Sequence, residues 1–194
     1  HVLQLNGTYT ATQFQKLVND LPAGSVLVRP VSGQTANINL GDGVSLPREQ
    51  MTLYKVNLTG SLGIPNRTTL WSVRGSPFVF HSSGDNVVLR DSYFSGGAGT
   101  ALKDGCKGNI YHQNTFSNAE NWVVENNTFE NYTNREEFCA DDHSEALYLG
   151  ESTKNWMIRG NRFNNNGSTG HIFFTWWYCG GSYKASCDHE NICV

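Results

Sequence analysis

Hydrophobic and polar positions alternate along most of this chain in short runs broken by Gly, Pro and Asn, which is the pattern of strands rather than helices. One segment differs. Phe14, Leu17, Val18 and Leu21 fall at i, i+3, i+4 and i+7 and form a single apolar stripe. Thr10 followed by Gln13 fits a capping box, and Pro22 and Gly24 stop the element, so the pattern predicts one helix over residues 10–22. Ser25–Pro30 follows as a strand. Met51–Leu58, Thr69–Arg74 and Pro77–His81 are further strand candidates.

From Asn86 onward one unit recurs. Asn86–Phe94 aligns without gaps to Asn121–Phe129 and to Asn155–Phe163, and Asn191–Val194 opens another copy that breaks off. The starts lie 35, 34 and 36 residues apart (86 to 121, 121 to 155, 155 to 191). A weaker copy, Gly108–Phe116, lies between the first two. A fixed period of this kind is the signature of stacked repeats. Positions 1 and 3 of the unit, Val87/Leu89, Trp122/Val124, Trp156/Ile158 and Ile192/Val194, are expected to point inward and stack. Phe94, Phe116, Phe129 and Phe163 are expected to form an aromatic column. Asn86, Asn121, Asn155 and Asn191, with Asn114, Asn127 and Asn161, are expected to form amide ladders that satisfy backbone groups at tight bends.

The unit Asn-x-x-Ile-x-x-Asn-x-Phe resembles the rungs of the pectate-lyase-like family of right-handed parallel β-helix proteins. The amphipathic segment before the first strand resembles the cap of such proteins. The resemblance implies an all-β fold, a right-handed parallel β-helix (solenoid) with one N-terminal capping α-helix, over a single domain, residues 1–194. It covers residues 86–194 specifically and the rest in general outline. The family includes polysaccharide lyases, glycoside hydrolases, esterases and non-enzymatic surface proteins, so it implies polysaccharide chemistry without fixing a reaction.

Composition narrows the setting. Charged residues are 16% of the chain and the formal net charge is −3, which argues against nucleic acid or an anionic membrane as partner. No apolar run approaches the ~20 residues of a membrane span. Of five cysteines, Cys179 and Cys187 flank a polar loop that a disulfide can close, and the odd count leaves one thiol over. N-glycosylation sequons start at Asn6, Asn57, Asn66, Asn126, Asn131 and Asn166. Cysteines and sequons together lead us to expect an extracellular, secreted glycoprotein.

The densest candidate chemistry is Asp141, Asp142, His143 and Glu145, one turn from His171. Paired carboxylates suit glycoside hydrolysis, one protonating the leaving oxygen and the other activating water or the sugar carbon. The Asp-Asp and Gly-His pieces resemble fragments of polygalacturonase motifs, whose Asn-Thr-Asp and Arg-x-Lys pieces are missing. The same loop also reads as polar groups capping strand ends. Asp141, Asp142 and Glu145 are in addition hard oxygen ligands of the kind calcium takes. A lyase needs a Lys or Arg base and a partner for the sugar carboxylate; Lys103 and Lys107 are basic candidates. Trp176, Trp177 and Tyr148 are candidate stacking platforms for sugars, with Arg159 a candidate polar contact. Position 4 of the unit gives the column Arg90, His112, Glu125, Arg159, whose alternating signs read as a self-satisfied charge stack. His1 raises copper chelation of the monooxygenase kind, but no second-His motif accompanies it.

Position 2 points outward yet reads Val88, Ile110, Val123, Met157 and Cys193. An apolar outer stripe needs a cover. The unfinished last rung adds an open edge that invites pairing. A structural glycoprotein that assembles through the stripe and the last rung is therefore the rival to carbohydrate binding or catalysis.

Overall fold

The computed structural model of the chain describes residues 1–82, 84–96, 114–132, 145–150, 152–166, 171–174 and 190–194. The chain opens with β1 (Val2–Leu5), β2 (Gly7–Thr10), α1 (Ala11–Asn19), β3 (Val26–Pro30), β4 (Ala36–Ser45) and β5 (Met51–Tyr54). It continues through β6 (Asn57–Gly63), β7 (Thr69–Trp71), β8 (Arg74–Ser82), β9 (Val88–Arg90), β10 (Tyr93–Ser95) and β11 (Thr115–Phe116). Then come β12 (Glu120–Glu125), β13 (Thr128–Glu130), β14 (Leu147–Leu149), β15 (Lys154–Arg159), β16 (Arg162–Asn164), β17 (Ile172–Phe174) and β18 (Glu190–Cys193).

The fold is all-β with one short helix, and the strands pair in parallel. Sheet one has the order β1-β3-β5-β7-β9-β12-β15-β18. Sheet two has two arms that share β8. The first arm runs through β2, β4, β6, β8, β10, β13 and β16, and the second continues from the far half of β8 through β11, β14 and β17. The far halves of β4 and β6 extend the second arm. Each sheet-one strand from β1 to β15 is followed by a sheet-two strand, and each such rung lies beside the previous one in both sheets. This arrangement is compatible with a β-helix.

The corners explain why the chain bends where it does. Between sheet one and the first arm stand Lys55, Ser72, Asp91, Asn126 and Gly160, all left-handed with φ between 51° and 64°. The N–H groups of Lys55, Ser72, Asp91 and Asn126 donate to the carbonyls of Trp71, Arg90, Glu125 and Arg159 on the next rung at 3.0–3.1 Å. Asn, Asp and Gly tolerate this conformation best. Thus each nine-residue unit is two short strands and a corner, and Met51–Leu58, expected as one strand, divides at Lys55.

The amide ladders form as expected at Asn86, Asn121 and Asn155. Asn121 Nδ2 donates to Asn86 Oδ1 at 3.3 Å, and Asn155 Nδ2 to Asn121 Oδ1 at 3.0 Å. A buried ladder follows the corner. Ser92 N–H donates to Asn127 Oδ1, Asn127 N–H to Asn161 Oδ1, and Asn127 Nδ2 to the Leu89 carbonyl, at 2.9–3.0 Å. Each asparagine thereby satisfies a buried donor and a buried acceptor that the bend leaves out of the sheets.

The core lies between the sheets. Val28, Leu53, Leu70, Leu89, Val124 and Ile158 are successive partners and all buried. Trp122 and Trp156 stack with centroids 4.8 Å apart and planes at 1°. Their indole N–H groups donate to the Gly84 and Ala119 carbonyls at 2.7 and 2.9 Å. The aromatic column is Phe94, Phe129 and Phe163. Phe78 extends it by filling the space left by Gly75, where a Cβ would lie 2.8 Å from the Phe78 ring. At one end α1 buries Phe14 and Val18, its capping box at Thr10 and Gln13 complete. The helix stops at Asn19 rather than at residue 22, because Pro22 has no N–H to donate to the Val18 carbonyl, and Arg48 covers the carbonyls at its exit. The Arg48 guanidinium donates to Val18 and Leu21 through Nη2 at 2.6 and 3.1 Å, and to Pro22 through Nη1 at 2.8 Å.

The weaker copy does not join the columns assigned to it. Val88 pairs directly with Val123, and Arg90 with Glu125, so no rung stands between them. Phe116 belongs instead to the second arm, paired between Ser82 and Leu149, and Asn114 bridges Phe80 and Ala146 there. Ile110 and His112 lie outside the described residues. A shorter spacing also emerges in the N-terminal half, where partners such as Asn66 and Glu49 are 17 residues apart and Asp85 and Asn66 are 19 apart.

Candidate functional site

Three of the expected site residues meet on the second arm. Glu145 lies two residues before β14, Tyr148 lies within it, and His171 directly precedes β17, with the Leu147 N–H donating to the His171 carbonyl at 3.0 Å. Their surroundings differ. Glu145 has no exposed surface and Tyr148 is 6% exposed. His171 is exposed and stacks on Phe163, with centroids 5.6 Å apart, as the outer end of the aromatic column. Asp141, Asp142, His143, Trp176, Trp177, Cys179 and Cys187 lie outside the described residues. β13 pairs with β16 and β14 with β17, so the described residues that flank 133–144 lie beside those that flank 167–170. Among the described residues no cluster of three or more His, Cys, Asp or Glu could hold a metal.

Arg159 stands apart, on the outer face of sheet one. Its Nε and Nη2 donate to Glu125 Oε2 at 3.0 and 2.7 Å, in the charge column expected there. That column continues to Arg90, whose guanidinium lies over Trp71 at 4.2 Å.

The sequons divide by geometry. Asn6 and Asn126 are exposed. Asn166 is buried and both ends of its amide are engaged, Nδ2 donating to the Phe129 carbonyl and Oδ1 accepting from Tyr132 N–H. Asn57 and Asn66 donate through Nδ2 to Asn37 and Glu49. Asn131 accepts from Asn165.

A groove that the sequence did not signal lies on the same second arm. Ser45 pairs with Gly63, and Leu62 with Phe80, which puts His81 beside Gly63. His81 in turn pairs with Thr115, and Thr115 with Tyr148. The buried neighbours Leu62 and Phe80 fill the core, so Ser45, Gly63 and His81 face outward. With Glu49, Asn66, Ile64, Pro65 and Gly84 they enclose a groove of about 250 Å³.

Gly63 makes the groove. Its backbone has no left-handed φ, so its conformation does not require glycine. A Cβ there would lie 2.6 Å from Ser45 Oγ and fill the space. Glycine in a strand marks places where a ligand or another backbone comes close. Glu49 is fixed at the rim by Asn66 Nδ2 on Oε1 at 3.1 Å and by Arg67 Nη2 on Oε2. The Arg67 hydrogen bond holds the Glu49 carboxyl below the usual glutamate range; lost hydration opposes this and the Asn66 amide adds to it. An ionised carboxylate, a hydroxyl and an imidazole face one another across an apolar wall of Ile64 and Pro65. That set suits a ring bearing hydroxyl groups on one side and C–H groups on the other. The signal in the sequence was faint: these residues share no local motif and are joined only by register. Searches against protein-family models, characterised proteins and solved structures return no match to this chain.

Proposed function

We propose that this protein is a secreted, right-handed parallel β-helix of the pectate-lyase-like kind that binds a carbohydrate chain along its second arm. The observation that carries the reading is the groove opened by Gly63 between Ser45 and His81. It lies on the same arm as Tyr148 and the roots of the two candidate loops. A chain lying across successive strands there would meet Glu49 and His81 first and the strands of Thr115 and Tyr148 further along. Lyase or hydrolase chemistry, with Asp141, Asp142 and His143 as its acids and bases, is the catalytic form of the proposal; Glu145, with no exposed surface, takes no part in it. The test is incubation with acidic and neutral polysaccharides, following reducing ends and unsaturated uronates. Cleavage that is lost in Asp142→Asn supports an enzyme. Retention without cleavage, weakened at least tenfold in His81→Ala, supports a binding protein. Neither retention nor cleavage sinks the proposal.

A second reading rests on a different observation. Val88, Val123, Met157 and Cys193 are successive partners on the outer face of sheet one, with Met157 40% exposed and Cys193 a free, exposed thiol. A structural glycoprotein would use this stripe to assemble. Light scattering across a concentration series decides: association that Met157→Lys abolishes favours it, and a monomer throughout rejects it.

A further inference from the structure

The corner between sheet one and the first arm carries a second groove, independent of the one on the second arm. In five rungs this corner is two residues long: 55–56, 72–73, 91–92, 126–127 and 160–161. Between β3 and β4 it widens to Val31–Thr35, a turn closed by Gln34 N–H donating to the Val31 carbonyl at 2.9 Å, with Gly33 at φ 74°. The other rungs show that the bend itself needs no such turn.

The widened turn walls a groove of about 340 Å³ whose lining includes Gln4, Arg29, Gln34, Tyr54 and Lys55. Among the described residues the lining holds two cations and an aromatic ring and no acidic residue. The Lys55 ammonium sits 5.1 Å from the Tyr54 ring centre. Tyr54 meets Trp71 at 4.5 Å on the next rung, and Arg90 covers Trp71 from the rung after. Arg74 lies over Tyr93 at 4.2 Å on the adjoining column. Basic and aromatic groups thus run together from Arg29 to Arg90, and among the described residues acidic groups enter at Asp91, at Glu125 and at Glu130, which accepts from the Tyr93 hydroxyl. In a chain whose net charge is −3 this is a local concentration of positive charge. Rungs repeat at about 4.8 Å, close to the advance of one sugar ring along an extended glycan.

We propose that this corner groove binds a short segment of an anionic glycan. Arg29 and Lys55 would take its carboxylate or sulfate oxygens, and Tyr54 would lie against a sugar face. The test is calorimetric titration of the intact chain with polygalacturonate, dextran sulfate, neutral dextran and poly-glutamate, at low and high salt. Wild type is expected to bind polygalacturonate or dextran sulfate, the preferred one identifying the anion, with affinity that falls as salt rises. Arg29→Gln/Lys55→Asn is expected to lose about tenfold, two exposed charge contacts' worth; Asn suits the left-handed corner at 55. Lys16→Gln, which removes an exposed cation of α1 outside both grooves, is expected to leave this binding unchanged. Equal binding to neutral dextran, equal binding to poly-glutamate, no binding, or full affinity in the double variant would each overturn the proposal. Melting curves of both variants confirm that each is folded, and the salt series on wild type needs no variant.

Discussion

At the residue scale, the asparagines expected to form amide ladders are structural keystones. Asn127 satisfies Ser92 N–H and the Leu89 carbonyl at a site with 1% of its surface exposed. Asn127→Ala is therefore expected to cost about 2–4 kcal/mol in urea unfolding, since two buried groups lose their partner. Gly160 differs from Gly63 in kind. Its φ is +64° and a Cβ would meet Asn126 Oδ1 at 2.4 Å, so Gly160→Ala is expected to destabilise by about 1–2 kcal/mol. Glu49 gives a pH signature. Its folded pKa is lowered chiefly by the Arg67 hydrogen bond, so the stabilisation it contributes is present above the ordinary carboxyl pKa. That contribution disappears as pH falls through the lowered value. Carbon-detected NMR of the Glu49 carboxyl should give a midpoint below that of ordinary glutamates. Arg67→Gln should move it upward, and an unmoved midpoint would refute the assignment.

At the element scale, the C-terminal repeats were legible and the N-terminal ones were not, for a reason visible in their columns. From Asn86 on, the opening position is Asn at residues 86, 121 and 155, and the stacking position is Phe at 94, 129 and 163. Earlier rungs use the same geometry with other chemistry. Gln50 and Arg67 hold the left-handed opening position, Lys55 and Ser72 the corner, and Gly75 with the Phe78 ring replaces the stacking Phe. Backbone position repeats while side-chain identity does not, so a pattern read from residue types begins too late. The misfit of Gly108–Phe116 has the same root, since a short Asn-x-Phe can sit on either arm. The helix was readable because its capping box and stripe are local. The cover over its exit was not, because Arg48 comes from 30 residues away. Arg48→Ala is expected to loosen this cap, seen as faster amide exchange in residues 11–19 with slow exchange retained in β12 and β15.

At the scale of the whole molecule, parallel stacking turns residues that share no motif into continuous faces. One face of sheet one carries the apolar stripe and the charge column. The second arm carries the groove at Gly63 and the roots of the candidate loops. The sequence did not locate the groove, because Ser45, Glu49, Gly63 and His81 are united only by register. It also grouped Arg159 with the site, whereas the fold puts it on the other sheet, paired with Glu125. The most direct test of carbohydrate binding on the second arm is Gly63→Val, titrated beside wild type with a panel of acidic and neutral polysaccharides. The β-branched side chain suits a strand, so the melting temperature should fall by only a few degrees. Saturable wild-type binding to at least one polysaccharide, weakened more than tenfold by the variant, is the expected result. Binding that is identical in the filled groove, or absent from the whole panel in wild type, would contradict it.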